Sequence, residues 1–233
     1  MTVSPGAAYI PSLGRVVRLA AATAVTPGVS VAAGRWYFYL YENGSGNAAI
    51  EASQTAPVFY AGDAQQKTGD NSRRFFGYAL SDGTAWWDFK SQAYGGRADI
   101  TWEAAGYDSS GTWALVVGGT GQNDTGTALS IAGVAPPGIA ILNLLARMFA
   151  NATSQIFYGI NGQVIPSNAS PAGYWGSEVL LEHWNPSATA GVEKITPVSV
   201  HVGRGVGTIY YRYTPNAGTG SISIYVRGLT YRR

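Results

Sequence analysis

The stretch Ser221–Arg227, with the sequence SISIYVR, alternates polar and apolar side chains residue by residue. In an extended strand, successive side chains point to opposite faces, so Ile222, Ile224 and Val226 share one face. The serines, Tyr225 and the arginine share the other face. This segment therefore predicts a β-strand with one face against a core.

Segments of the same kind recur along the chain. Short runs rich in Val, Ile, Tyr, Trp and Thr are interrupted by Gly, Pro, Ser and Thr about every 8 to 12 residues. The 31 Gly and 11 Pro residues supply many of these breaks. Such spacing is typical of β-sandwiches and barrels. The predicted fold class is all-β, with two antiparallel β-sandwich-like domains.

One segment allows two interpretations. In Ile139–Phe149, apolar residues such as Ile141, Leu142 and Leu145 recur at helical spacing, and Pro136-Pro137 precede the segment. A helix and a strand are both compatible with this pattern. The strand-like segments on either side favour a strand.

The clearest candidate boundary is the Gly-rich, polar segment Gly118–Gly126, which separates two apolar runs. It predicts a first β domain over residues 1–118, which carries the KTGDNSRRFFG motif. The second domain, residues 119–233, is then a C-terminal β-sandwich head of ordinary domain size.

The composition points to a surface that is partly covered by other subunits. Hydrophobic residues make up 46% of the chain and charged residues 12%, about half of the roughly 25% typical of soluble domains. So few charges would do little to keep a monomer soluble, which suggests a homo-oligomer. The net charge is only +2, and the basic residues are too scattered to form the basic face that nucleic acid binding requires.

Several classes of protein are disfavoured by what the sequence lacks. It has no cysteine for disulfides or thiolate metal sites. The sequence shows no signal-peptide pattern, and no apolar run approaches the roughly 18 residues of a membrane span. We expect synthesis in a cytoplasm, no membrane insertion and no cofactor. Assembly into a virion released by lysis would fit these features.

The sequence offers little support for an enzyme or a metal site. The two histidines, His183 and His201, lie on predicted strands, and no Gly-x-Ser-x-Gly elbow accompanies a serine. No third imidazole or cysteine accompanies the two histidines, and an oxygen-ligand Ca²⁺ loop, for example at Asn123-Asp124, would lack the EF-hand spacing. We therefore expect that the protein is not an enzyme and binds no metal.

Aromatic side chains are better candidates for binding. Seven Trp and 15 Tyr occur, several of them beside turn residues. Rings at such positions offer large contact areas at low entropic cost. Alternatively, they close the ends of the sandwiches or pack between subunits. The candidate binding residues are Trp86, Trp87, Tyr94, Tyr174, Trp175 and Trp184.

The densest charge cluster lies in Lys67–Gly77, with the sequence KTGDNSRRFFG. Its Gly-Asp-Asn segment predicts a turn and the following residues predict a strand, on which adjacent arginines point to opposite faces. One arginine can then pair with Asp70 or Glu51, while the other faces a neighbour or solvent. We expect a structural salt-bridge lock formed by Glu51, Lys67, Asp70, Arg73 and Arg74.

Three segments together resemble a pattern found in tail-fibre and baseplate-attached proteins of tailed bacteriophages. They are Trp36–Tyr41, Ile50–Pro57 and Lys67–Gly77, and the opening Val3–Pro11 is similar too. The resemblance covers roughly residues 3–90 and is looser beyond them.

The resemblance implies a virion component, commonly a homotrimer, near the host-contacting end of the tail, with no enzymatic residues. On this interpretation, residues 1–118 are an attachment and trimerisation domain and residues 119–233 are the binding head. The implied partners are further copies of the chain, other tail or baseplate proteins, and a host surface polysaccharide or pilus. The alternative is a purely structural virion protein, such as a baseplate or tail subunit or a capsid decoration. A glycan hydrolase would be supported by a β-helix repeat, and none is visible.

Overall fold

A computed structural model describes residues 1–25, 32, 34–81, 83, 86, 89–94, 97–102, 114–120, 123–131, 139–151, 154–161, 179–185, 192–202, 208–215 and 219–232. Within these ranges, the chain forms strands and one 3₁₀ turn, Pro11–Leu13, and no α-helix. All of the described strand pairings are antiparallel. The all-β prediction is confirmed.

The strands of the first half are β1 (Thr2–Val3), β2 (Gly6–Ile10), β3 (Arg15–Leu19), β4 (Thr23–Ala24), β5 (Gly34–Glu42), β6 (Ala48–Ser53), β7 (Pro57–Ala61), β8 (Ala64–Lys67), β9 (Asp70–Ser81), β10 (Phe89–Tyr94), β11 (Arg97–Trp102) and β12 (Ala114–Thr120). Those of the second half are β13 (Asn123–Ser130), β14 (Ile139–Asn151), β15 (Ser154–Asn161), β16 (Val179–Asn185), β17 (Val192–His201), β18 (Thr208–Pro215) and β19 (Thr219–Arg232).

The first-half sheet has five strands in the order β6-β5-β9-β8-β7. Its central pair, β5 and β9, contains a bulge, because Phe38 lies opposite Gly77 whereas Tyr39 lies opposite Phe75. Phe76 is therefore the additional residue on β9. A bulge of this kind bends the strand and changes which side chains share a face.

A longer sheet of six strands joins the two halves of the sequence. Its order is β10-β11-β19-β14-β17, and β12 also pairs with β19. Strand β11 pairs with β19 from Arg97, opposite Arg232, to Thr101, opposite Gly228. The strands on either side of the 118/119 division are thus hydrogen-bonded in one sheet. The division itself stays a prediction.

The remaining second-half strands form a four-stranded sheet in the order β13-β18-β15-β16. The segment Gly118–Gly126, which the sequence predicts as a boundary, lies mostly in β12 and β13. The ambiguous segment forms β14, which pairs with both β17 and β19. The strand interpretation is confirmed, as is the strand predicted over Ser221–Arg227.

The first-half sheet packs on both of its faces. On one face, Tyr37, Tyr39 and Phe75 join a core that includes Tyr231 of β19 and Ile209 of β18. These buried side chains connect the first-half sheet to the six-stranded sheet and to the four-stranded sheet.

The opposite face of the first-half sheet is covered by the hairpin of β2 and β3. There Leu40 packs with Ile10, Val17 and Leu19 in a smaller core. On the hairpin's other side, the cross-strand neighbours Tyr9 and Val16 are about half exposed. The first-half sheet is thus sandwiched between a short hairpin and the long sheet.

Two buried tyrosines on β5 give a matched stability test. Tyr39 donates its hydroxyl hydrogen to the carbonyl oxygen of Thr55 at 2.6 Å, whereas the buried Tyr37 hydroxyl has no hydrogen-bond partner among the described residues. An unpaired buried hydroxyl costs free energy, so Tyr37→Phe should stabilise the fold by about 1 kcal/mol or leave it unchanged. Tyr39→Phe should destabilise it by about 1 kcal/mol.

Urea unfolding of the two variants, followed by circular dichroism, measures the difference. Equal losses of stability in both would show that Tyr37 is hydrogen-bonded as well as Tyr39, contrary to this description.

Candidate functional site

Glu51 of β6 lies at the centre of a charge cluster on the first-half sheet. Its Oε1 accepts a hydrogen bond from Nζ of Lys67 at the end of β8. Its Oε2 accepts one from Nε of Arg73 on β9 at 2.6 Å. Because β5 and β9 lie between β6 and β8, these two bonds connect strands that are not neighbours.

Arg73 is held by further contacts. Its guanidinium carbon lies 3.9 Å from the ring centroid of Tyr41 on β5, a cation–π contact. Its Nη1 donates to Oγ of Ser72 at 2.6 Å. Arg73 therefore crosses β5 over an aromatic ring on its way to Glu51.

Asp70 shapes the turn that begins β9. Its Oδ1 accepts hydrogen bonds from the backbone N–H of Ser72 at 2.9 Å and from the Ser72 hydroxyl at 2.6 Å. Its Oδ2 lies 3.9 Å from Nε of Arg73, a longer electrostatic contact. Gly69, which precedes it, has φ of 79°, a left-handed conformation that favours glycine. Asp70 thus acts mainly as a turn cap.

Arg74 lies on the opposite face of β9 from Arg73, as the alternation of a strand requires. Its Nη1 donates to the backbone oxygen of Gln65 at 2.6 Å, and its guanidinium carbon lies 5.4 Å from the Tyr60 ring centroid. The structure therefore places Glu51, Lys67, Asp70 and Arg73 together and sets Arg74 apart from them. We use the name "lock" for Glu51, Lys67 and Arg73.

The lock controls the ionisation of its carboxylate. Burial alone would raise the pKa of Glu51, but hydrogen bonds and charge from Lys67 and Arg73 outweigh burial and lower it. The pKa of Asp70 is also lowered, first by the hydrogen bond from the Ser72 side chain. Both carboxyls are thus favoured in the charged form.

The lowered pKa of Glu51 predicts a pH-dependent contribution to stability. A carboxyl whose folded-state pKa lies below its unfolded value stabilises the fold above that unfolded value, and the contribution is lost as pH falls through the folded pKa. Glu51→Gln should therefore cost about 1–2 kcal/mol at pH 7, because the pair is only partly buried. The cost should shrink on acidification below the ordinary value of 4.5.

Glu42→Gln is the matched control, because Glu42 pairs with Arg15, whose side chain is 60% exposed. That surface pair should contribute about 0–1 kcal/mol. Urea unfolding across the acidic range gives the stability of each variant. A cost of Glu51→Gln that stays constant with pH would contradict the assignment.

The aromatic residues predicted to bind fall into three groups. Trp87, Tyr174 and Trp175 lie outside the described residues. Tyr94 ends β10 opposite Arg97, and Trp184 lies in β16 opposite Gln155. Only Trp86 has a described side-chain environment, and the binding role of all six stays a prediction.

Trp86 belongs to an aromatic cluster beside the first-half sheet. It forms a β-bridge with Ser81. Its ring lies edge-on to those of Trp36 and Phe38, with centroid distances of 5.7 and 5.6 Å. The residue is half-buried, and its indole nitrogen is buried without a hydrogen-bond partner among the described residues. This environment resembles a core more than an exposed loop.

The described residues contain no cluster of three or more His, Cys, Asp or Glu able to hold a metal ion. Nor does the described part of the chain contain a helix long and apolar enough to span a membrane. The two histidines lie on strands, His183 in β16 and His201 at the end of β17.

No protein-family model matches the chain, and no curated protein is significantly similar to it.

Proposed function

We propose that this protein is a virion subunit of a tailed bacteriophage, in a tail fibre or attached to the baseplate, that mediates attachment to the host cell surface. One observation carries the proposal. The segments Trp36–Tyr41, Ile50–Pro57 and Lys67–Gly77, which carry the resemblance to such proteins, contribute neighbouring strands to one sheet. The lock joins two of these segments directly, through Glu51.

The arrangement supports the proposal because the resembling segments contact one another within one sheet. Isolated similarities between short segments have no reason to meet in space. Here Lys67 and Arg73 both contact a carboxylate from the preceding segment, and Tyr41 of the first segment lies under Arg73. A rigid, cross-linked sheet is a suitable element for attaching a subunit to a larger particle.

The low charge content supports a place within an assembly. Charged residues form 12% of the sequence, and the half-exposed Tyr9 and Val16 leave an apolar strip on the hairpin of β2 and β3. Such surfaces are suited to contact with other subunits. We propose a homotrimer, with residues 119–233 as the host-contacting head and other tail or baseplate proteins as partners.

Deletion of the gene from the phage genome that encodes it tests the proposal. We expect complete particles that adsorb to host cells at a small fraction of the parental rate, with adsorption restored when the protein is supplied in trans. A purely structural role predicts that complete particles fail to form. Particles that assemble and adsorb normally would contradict both roles.

Point variants locate the contacts with the host. Trp175→Ala and Trp184→Ala should assemble into particles but lose adsorption, because Trp side chains are enriched among the residues that dominate binding energy. Trp36→Phe is the control, because Trp36 packs against Trp86 within the protein. Normal adsorption by both alanine variants would overturn the assignment of these residues.

A further inference from the structure

The hairpin of β2 and β3 carries most of the well-exposed large apolar side chains of the described residues. Tyr9 is 48% exposed, Leu13 38% and Val16 54%, and in the rest of the described chain only Val58 and Ile195 belong to this class. Tyr9 and Val16 are direct cross-strand neighbours, and Leu13 lies in the turn between the two strands. Apolar side chains grouped in this way on a charge-poor protein indicate a contact surface.

The outer edges of the hairpin have no hydrogen-bond partner within the described residues. Strands β2 and β3 form a two-stranded sheet of their own, in unbroken register from Gly6, opposite Leu19, to Ile10, opposite Arg15. The described backbone hydrogen bonds of the hairpin outside this ladder come from Gly14 and close the turn. Each outer edge therefore offers a row of backbone N–H and C=O groups to a further strand.

Strand β2 lacks the features that usually prevent pairing at an edge. Its sequence, GAAYI, contains no charged residue and no proline, and its ladder contains no bulge. Strand β3 has the same length and runs in the opposite direction. When β3 of a second copy lies beside β2, the antiparallel order continues over all five residues. The chain thus supplies both halves of a complementary contact, which favours a second copy as the partner.

Such contacts join unlike edges, so each copy can pair with two neighbours. Head-to-tail contacts of this kind form a ring if the rotation closes, and closure removes every free edge. Three hairpins give six strands. An eight-stranded barrel has an interior just wide enough for side chains to fill, so three copies of Tyr9 and Val16 suit the narrower interior of six strands.

One charged residue shares this face of the hairpin. By strand alternation, Ala7 and Arg18 lie on the same face as Tyr9 and Val16. Ala7 and Arg18 are opposite one another, next to the last pair of the ladder, Gly6 and Leu19. At that end, the long Arg18 side chain can extend its guanidinium into solvent while its stem stays against apolar surface.

We propose that three copies of this chain assemble through their hairpins, with β2 of each copy paired to β3 of the next and with Tyr9 and Val16 around the threefold axis. The inference rests on the homotrimer of the proposed function and identifies its interface. The opposite face of each hairpin packs against Leu40 of the first-half sheet, so the three first-half sheets would surround the axis.

Sedimentation analysis of the purified full-length protein should give the mass of three chains. Val16→Glu should raise the dissociation constant at least about tenfold, because it buries unpaired like charges in the interface. Val58→Glu is the matched control, since Val58 is 41% exposed on β7, outside the hairpin, and it should keep the mass of three chains. Both valines are exposed in the single chain, so both variants should fold.

Cross-linking provides a second measurement that does not depend on a disruptive variant. Equivalent residues on β2 of neighbouring copies would lie two strand spacings apart, about 10 Å, within reach of a short bismaleimide. The chain has no cysteine, so Ala7→Cys introduces a single reactive thiol, and Ala7 is exposed. This variant should form covalent pairs of chains, whereas Val58→Cys should form few.

A mass of one or two chains for the unmodified protein would overturn the proposal together with the homotrimer. A mass of three chains that Val16→Glu leaves unchanged, or cross-linking of Ala7→Cys no greater than that of Val58→Cys, would overturn the interface and leave the homotrimer standing. The attachment function is measured separately, and its failure would appear as normal adsorption of particles that lack the protein.

Discussion

Gly228→Ala is expected to destabilise the protein by at least about 3 kcal/mol, at the upper end of what overpacking costs. Gly228 is buried in β19 opposite Thr101 of β11. A Cβ atom at this position would lie 2.4 Å from the backbone oxygen of Ile100 and 3.2 Å from Cα of Thr101. Backbone atoms of a paired strand cannot turn aside as a flexible side chain can, so the strands would have to separate locally.

Gly77→Ala is the matched control for this prediction. A Cβ atom on Gly77 would lie 3.5 Å from Cδ2 of Phe38, an ordinary van der Waals distance. The control should change stability by less than about 1 kcal/mol. Urea unfolding of both variants measures the difference, and equal stabilities would contradict the close approach of β11 and β19.

Tyr231→Ala is expected to cost about 3–5 kcal/mol, the usual range for removing a large buried aromatic side chain. Tyr231 is 1% exposed, and its ring centroid lies 5.6 Å from that of Phe75. Its hydroxyl donates to the backbone oxygen of Phe76 at 3.0 Å. One side chain near the end of the sequence thus supports the centre of the first-half sheet.

Tyr231→Phe separates the contributions of packing and hydrogen bonding. It retains the ring and removes the bond to Phe76, so it should cost only about 1 kcal/mol. Thermal and urea unfolding of both variants provide the comparison. A small effect of Tyr231→Ala would show that the two halves of the chain are stabilised independently of this contact.

The sequence predicted strands best where the alternation was complete. Ser221–Arg227 forms part of β19, with Ile224 and Val226 buried as expected. The apolar spacing of Ile139–Phe149 also suited a helix, because apolar residues occur on both faces of the strand. Pairing with β17 on one side and β19 on the other makes it a central strand, and central strands often read as continuous apolar runs.

Glycine content predicted local structure less reliably than the alternation of apolar residues did. Gly118–Gly126 has the composition of a linker, yet most of it lies in strands that pair with β19 and β18. These partners come from much later in the sequence, and local composition carries no information about them. Long-range pairing overrode the local preference.

The charge cluster shows what strand periodicity can and cannot predict. Alternation correctly separated Arg73 from Arg74 and allowed Glu51 to pair with one of them. The contact of Arg73 with Tyr41 was not predicted, because it depends on the register of β5 against β9 across a bulge at Phe76.

The most direct test of the proposed function is the location of the protein in assembled particles. Immunogold electron microscopy, with an antibody raised against the purified chain, can be applied to phage particles from a lysate. We predict gold label at the distal end of the tail, on fibres or the baseplate. Label confined to the head, or particles without label in a lysate that contains the protein, would contradict the proposal.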